Sequence, residues 1–100
     1  MQKLIAVISA VLLSSAAVSA FAWRGETLAK DTNITLAQAS AIALKAHPGK
    51  ITDQELEKEA GGSGLRYSFD IRSGNVTHEV GVDARTGNVL ENKAEGPHPD

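Results

Sequence analysis

The chain contains no cysteine. Disulfide staples, thiol catalysis, iron–sulfur clusters, zinc-thiolate sites and a lipid-anchored N-terminal cysteine are therefore excluded. Aromatic side chains are few, with one Trp, one Tyr and two Phe, so any core must be built mainly from aliphatic and alanine surface. Neither sign of charge dominates. The formal net charge is −2, which gives no electrostatic footprint for nucleic acid. The motifs of hydrolytic and phosphate chemistry are missing as well. There is no G-x-S-x-G elbow and no H-E-x-x-H helix. The glycine-rich run Gly61-Gly62-Ser63-Gly64 lacks the lysine of a phosphate loop and reads as a linking loop. We expect no catalytic residues and no cofactor; the chain reads as a non-enzyme.

One long apolar run is present, and it lies at the start. Met1-Gln2-Lys3 is a short basic segment, Leu4 to Leu13 is apolar except for Ser9, and small residues lead to Val18-Ser19-Ala20-Phe21-Ala22. This is the pattern of a secretory signal peptide over residues 1–22. Cleavage after Ala22 satisfies the small-x-small rule through Ala20 and leaves Trp23 first; cleavage after Ala20 satisfies it through Val18. The strongly apolar part falls short of the roughly 20 residues that a membrane span needs, so no stable span is expected after cleavage. No twin arginine precedes it, so the expected route is general export and the expected location is secreted, periplasmic. Removing residues 1–22 leaves 78 residues, one small domain, with nine basic and twelve acidic side chains. Without disulfides, so small an exported domain depends on its core, a partner or a ligand.

Residues 23–33 show no period and read as a linker, with Trp23 outside the core. Thr35 and Gln38 have the spacing of a capping box. The Ala- and Leu-rich run that follows places Leu36, Ala39, Ile42, Ala43 and Ala46 on one stripe, widened by Ala41 and Leu44. Lys45 suits the last turn of that helix, and His47-Pro48-Gly49 ends it. Ile51 to Ala60 is ambiguous. Thr52 and Glu55 with Gly61 fit a helix; Leu56 inward with Glu55, Glu57 and Glu59 outward fits a strand. Leu65, Tyr67, Phe69 and Ile71 alternate with Arg66, Ser68, Asp70 and Arg72, which predicts a half-buried strand. Ser73-Gly74-Asn75 turns into a second one, where Val76, His78, Val80 and Val82 alternate with Thr77, Glu79, Gly81 and Asp83. Asp83 can accept amide hydrogen bonds from the residues just after it, and Gly87 can supply the positive φ that closes such a turn. Val89 and Leu90 resume the apolar run as a short strand. Lys93 to Asp100 carries two prolines and no large apolar side chain and reads as a disordered tail, residues 93–100.

The order and spacing of these pieces resemble a PepSY domain. The resemblance spans roughly Asn33 to Asn92, giving a domain over residues 34–92. It rests on the helix Leu36 to Leu44 with His47-Pro48-Gly49-Lys50-Ile51, on the strand Tyr67-Ser68-Phe69-Asp70-Ile71, and above all on Glu79 to Leu90. Its structural positions here are Thr35, Gln38, Pro48, Gly49, Tyr67, Phe69, Val80, Val82, Asp83, Thr86 and Gly87. The resemblance implies an α+β fold, one N-terminal amphipathic helix packed on a three- to four-stranded antiparallel sheet, and so implies that Ile51 to Glu59 is a strand. It also implies a binding role, such as modulating or inhibiting an envelope peptidase, although no inhibitory motif carries over to named residues. His78 and Gly81 depart from the family, which more often has larger side chains there; in a strand, such a glycine marks a bulge or a close approach.

The function expected is non-catalytic binding of a protein or peptide of the cell envelope, through the sheet's open face, its edge or the glycine-rich loop. The alternative is a divalent-metal or small-ligand sensor. As a strand, Asp53, Glu55, Glu57 and Glu59 share one face, and hard cations take several carboxylate oxygens; the plainer reading is a solvated acidic face that discourages aggregation. His47 is expected to cap the helix, and His78 to pack on the apolar side with one hydrogen bond. His98 and Asp100 are too few, on a mobile tail, to hold a metal.

Overall fold

A computed structural model describes residues 23–95. The elements follow in the order of a 3-10 segment (Glu26–Asp31), helix α1 (Leu36–Ala46), and strands β1 (Lys50–Lys58), β2 (Leu65–Ser73), β3 (Val76–Asp83) and β4 (Val89–Ala94). The strands form one antiparallel sheet in the order β1-β2-β3-β4. The helix covers one face of it, which is the α+β arrangement expected.

Local chemistry explains where α1 begins. The Thr35 hydroxyl accepts from the Gln38 N–H at 3.1 Å, and the Gln38 side chain accepts from the Thr35 N–H at 2.9 Å. Two amides that the helix itself cannot satisfy are thereby paired. Ala39 and Ala43 are fully buried against the sheet, with Leu36, Ile42, Leu44 and Ala46 half-buried around them. Ala41 points to solvent, so the stripe is narrower than the sequence implied. Alanine at the contact lets the helix lie close to β2 and β3. Gly49 follows the helix end, where an added Cβ would collide with the Arg72 carbonyl and the Ile71 side chain. Pro48 precedes it, and its carbonyl accepts from the Ser73 hydroxyl at 2.6 Å, which pins the crossing to β2.

The core lies between α1 and one face of the sheet. Leu56, Leu65, Tyr67, Phe69, Ile71, Val80 and Val82 are each at most 2% exposed. Fully burying each such side chain contributes about 1.5–3 kcal/mol. Tyr67 also keeps its polar end paired, donating to the Ile34 carbonyl at 2.8 Å. The segment from Ile51 is a strand as far as Lys58, as the family resemblance implied and local propensity did not, with Glu59 just beyond its end: pairing with β2 and burial of Leu56 outweigh helix preference.

Two sequence readings change. Residues 23–33, read as a linker, hold a 3-10 segment, and Arg24 bridges to Glu55 beside β1. Trp23 is not outside the core: it packs against it, its ring 6.3 Å from that of Tyr67. At Trp23 and Arg24 an aromatic ring and one strand-like residue find partners that no local pattern reveals. Likewise Lys93 and Ala94, read as part of a tail, belong to β4, where pairing with Glu79 and His78 compensates for their polarity. His98 and Asp100, like the signal-peptide reading of residues 1–22, lie outside the described residues.

Candidate functional site

Alternation along paired strands puts one set of side chains under α1 and the other on the opposite face, which no element covers among the described residues. A bulge at Thr52 shifts the register of β1 between Ile51 and Asp53. Beyond it, Asp53, Glu55 and Glu57 stand opposite Asp70, Ser68 and Arg66, and these in turn face Glu79, Gly81 and Asp83. Glu91 and Lys93 of β4 complete the row beside Gly81 and Glu79. The open face is therefore crowded with carboxylates drawn from all four strands.

Two arginines are set into it. Arg24 Nη2 lies 2.9 Å from Asp53 Oδ2 and 2.6 Å from Glu55 Oε1. These bonds strengthen the hold of Arg24 on its proton and lower Glu55, first through the hydrogen bond from Arg24. Arg66 is buried, with Nη1 3.3 Å from Glu91 and 3.6 Å from Glu59 and Nη2 donating to the Ala60 carbonyl. Its stem lies across Gly81, where a Cβ would come within 3.0 Å of Arg66 Cδ. The departure at Gly81 is thus a close approach, beside the register shift that separates it from Val82 in the β3–β4 pairing.

The other carboxylates are held less comfortably. Burial pushes Glu57 up to about 7, aided by Glu55 and Glu59 beside it and opposed by the Ser68 hydroxyl that donates to it at 2.8 Å. Burial also raises Asp70, with Asp53 and Glu55 adding to the effect. Glu79 rises for the same reason, with Glu91 and Asp70 as its charged neighbours. Asp70, Glu79 and Glu95 can each bring an oxygen within 4.8 Å of the others. Such a face attracts cationic groups and resists further negative charge.

The remaining sequence-derived positions are structural. Asp83 accepts from the N–H groups of Arg85, Thr86 and Ser63 and from the Ser63 hydroxyl, at 2.7 to 3.1 Å. Burial alone would raise its pKa; these donors outweigh it and hold the carboxyl well below the usual range. The Thr86 hydroxyl accepts from Asn88 N–H, and Gly87 turns the chain at φ 82. His47 closes the helix with its backbone N–H on Ala43 and stacks on His78, ring centroids 3.6 Å apart and planes 8° off parallel. His78 Nδ1 is buried with no hydrogen-bond partner among the described residues, so ring stacking, not the expected hydrogen bond, occupies that side chain. The acidic row Asp53 to Glu59 does share one face. Arg24, Arg66, Asp70, Glu79 and Glu91 join it only through strand pairing, which alternation in β2 and β3 hinted at without giving the register.

The model of the family described as "Peptidase propeptide and YPEB domain", PepSY, matches residues 33–93. The chain belongs to the PepSY family. No curated protein and no solved structure matches it. PepSY domains are generally propeptide-like binding or inhibitory modules and are typically non-catalytic. That description agrees with a face rich in charge.

Proposed function

We propose that this PepSY chain is an exported, non-catalytic binding module that holds a protein or peptide of the cell envelope against the open face of its sheet, and that one such partner is a peptidase whose activity it modulates. The observation that carries this reading is the crowding of Glu57, Asp70 and Glu79, each raised by burial and by neighbouring carboxylates. A basic partner relieves that strain, and charge complementarity supplies both steering and selectivity. The test is crosslinking of the exported chain in envelope extract, followed by mass spectrometry, at low and high salt. A Glu57→Gln, Asp70→Asn, Glu79→Gln variant and a Gly87→Val fold-breaking control run beside it. The expected result is a partner retained by the native chain at low salt and lost in both variants. A partner kept equally by the neutralised variant would remove the acidic face from the reading.

The alternative, a divalent-cation sensor on Asp53, Glu55, Glu57 and Glu59, meets an arginine already seated on the first two. An ion there must displace Arg24. A rise in melting temperature with millimolar calcium or magnesium, larger in Arg24→Ala, is what that alternative requires.

A further inference from the structure

The sheet has two edges, and the chain treats them differently. The outer side of β1 is covered by the chain itself. The Leu56 N–H donates to the Arg24 carbonyl at 2.8 Å, Arg24 bridges to Glu55, and the 3-10 segment packs alongside. β4 is last in the strand order, and among the described residues nothing pairs with its outer side. Outward amides and carbonyls on such an edge are a template for another strand.

The ladder identifies those groups. The Glu95 N–H donates to the Thr77 carbonyl at 2.8 Å. In an antiparallel pair, opposed residues alternate between those that exchange hydrogen bonds and those that do not. The inward-bonding residues of β4 are therefore Glu91 and Lys93, facing Gly81 and Glu79, and the outward ones are Asn92 and Ala94, with Leu90 at the register shift.

We propose that the occupant of this edge is a second copy of the chain, its β4 antiparallel to the first, with Asn92 opposite Asn92 of the partner subunit on a two-fold axis normal to the sheet. Side chains select this register. Glu91 then faces the partner's Lys93, and Lys93 faces the partner's Glu91, both at positions where Cα atoms approach to about 4.5 Å. On the helix side, Leu90 faces the partner's Ala94. Sliding one strand by two residues sets Glu91 against the partner's Glu91 in one direction and Lys93 against the partner's Lys93 in the other, and directly opposed like charges destabilise. Within one chain Glu91 takes Arg66 at 3.3 Å and Lys93 at 3.4 Å, and the Lys93 side chain, 69% exposed, can swing from its own Glu91 to the partner's. The interface is isologous, as closed two-fold pairing requires. Two four-stranded sheets become one of eight strands, with both helices on one side and two acidic faces merged on the other. A partner with two basic segments would engage both at once. The dimer stands apart from what the face binds; sedimentation tests one and salt-dependent capture the other.

The absence of cysteine makes the test direct. In Asn92→Cys, two thiols meet on the axis at the Cα spacing of a hydrogen-bonded pair, about 5.5 Å, which suits a disulfide. In Ala94→Cys they lie on opposite sides of the axis, several residues apart. The expected result is a covalent dimer of the exported Asn92→Cys chain on mild oxidation, with an unchanged circular dichroism spectrum, and none from Ala94→Cys. Wild type should sediment as a concentration-dependent dimer below about 1 mM, the weak end of the affinity scale. Lys93→Glu should be monomeric, and mixing it with Glu91→Lys should restore a dimer by pairing opposite charges in both places. If Glu91→Lys fails to fold for want of its Arg66 contact, Lys93→Glu and the two cysteine variants decide. Wild type monomeric throughout that range, or equal crosslinking of both cysteine variants, overturns the proposal. Protection of the Leu90 to Ala94 amides only by a different protein's strand also overturns it.

Discussion

The two faces of this one sheet meet opposite demands. Beneath α1, Tyr67, Phe69, Ile71, Val80 and Val82 are at most 1% exposed. One residue away along the same strands, Asp70 and Glu79 stand on the uncovered face, where burial and like charge raise their pKa values. The stability of the domain resides in the first face, and the second carries charge at some cost to it. Because successive side chains alternate, a strand can serve both demands without compromise in sequence. The edges repeat the contrast: the chain closes β1 with its own residues, and among the described residues nothing pairs with the outer side of β4.

The comparison is broken most severely from the covered side. Phe69→Ala, at a position 0% exposed, should cost about 3–5 kcal/mol, read as a lower midpoint in urea. Removing the buried polar anchor comes next. Asp83→Ala strands the amides of Ser63, Arg85 and Thr86 and should cost about 1–3 kcal/mol. It also changes the acid limb. A carboxyl lowered in the folded state contributes stability that is present above its unfolded value, 3.8, and lost as pH falls below it. The native chain should therefore lose stability in that window, and Asp83→Ala should lose less.

The open face sharpens the contrast with the opposite sign. Glu57 is raised from 4.5 to about 7, so the folded state holds a proton that the unfolded state has released. Its contribution falls as pH rises from about 4.5 to about 7 and is flat above that. Glu57→Gln keeps an acceptor for the Ser68 hydroxyl and should melt higher than wild type at pH 8, with the difference vanishing near pH 4. A variant that melts equally at both pH values would show that Glu57 titrates normally. Arg24→Ala should have the smallest effect on stability, since its ion pairs with Asp53 and Glu55 are exposed to solvent; matched thermal melts of variant and wild type check it.

Much of the covered face was legible. Alternation from Leu65 to Ile71 and from Val76 to Val82, the Thr35–Gln38 cap and the Asp83–Gly87 turn are local patterns, and each forms from residues close in sequence. The helix stripe was legible except for Ala41, because periodicity alone does not say how wide the contact with a sheet is. The open face was half legible. Asp53, Glu55, Glu57 and Glu59 could be placed together once Ile51 to Glu59 was taken as a strand, a choice that local propensity left open. Arg24 and Arg66 were missed as members of the face, since their carboxylate partners are reached only across strands or from the far end of the chain.

The sequence by itself determined the absence of thiol chemistry, the helix boundaries, the central hairpin and the turn into β4, all of which rest on short-range hydrogen bonding, backbone freedom and side-chain period. Tertiary structure decided the rest. It made a strand of a segment with helical propensity, seated Trp23 on Tyr67, and extended β4 through Lys93 and Ala94. It also gathered acids from four strands onto one face. Each of these depends on long-range pairing and burial, whose free energy exceeds local preference and is set by register.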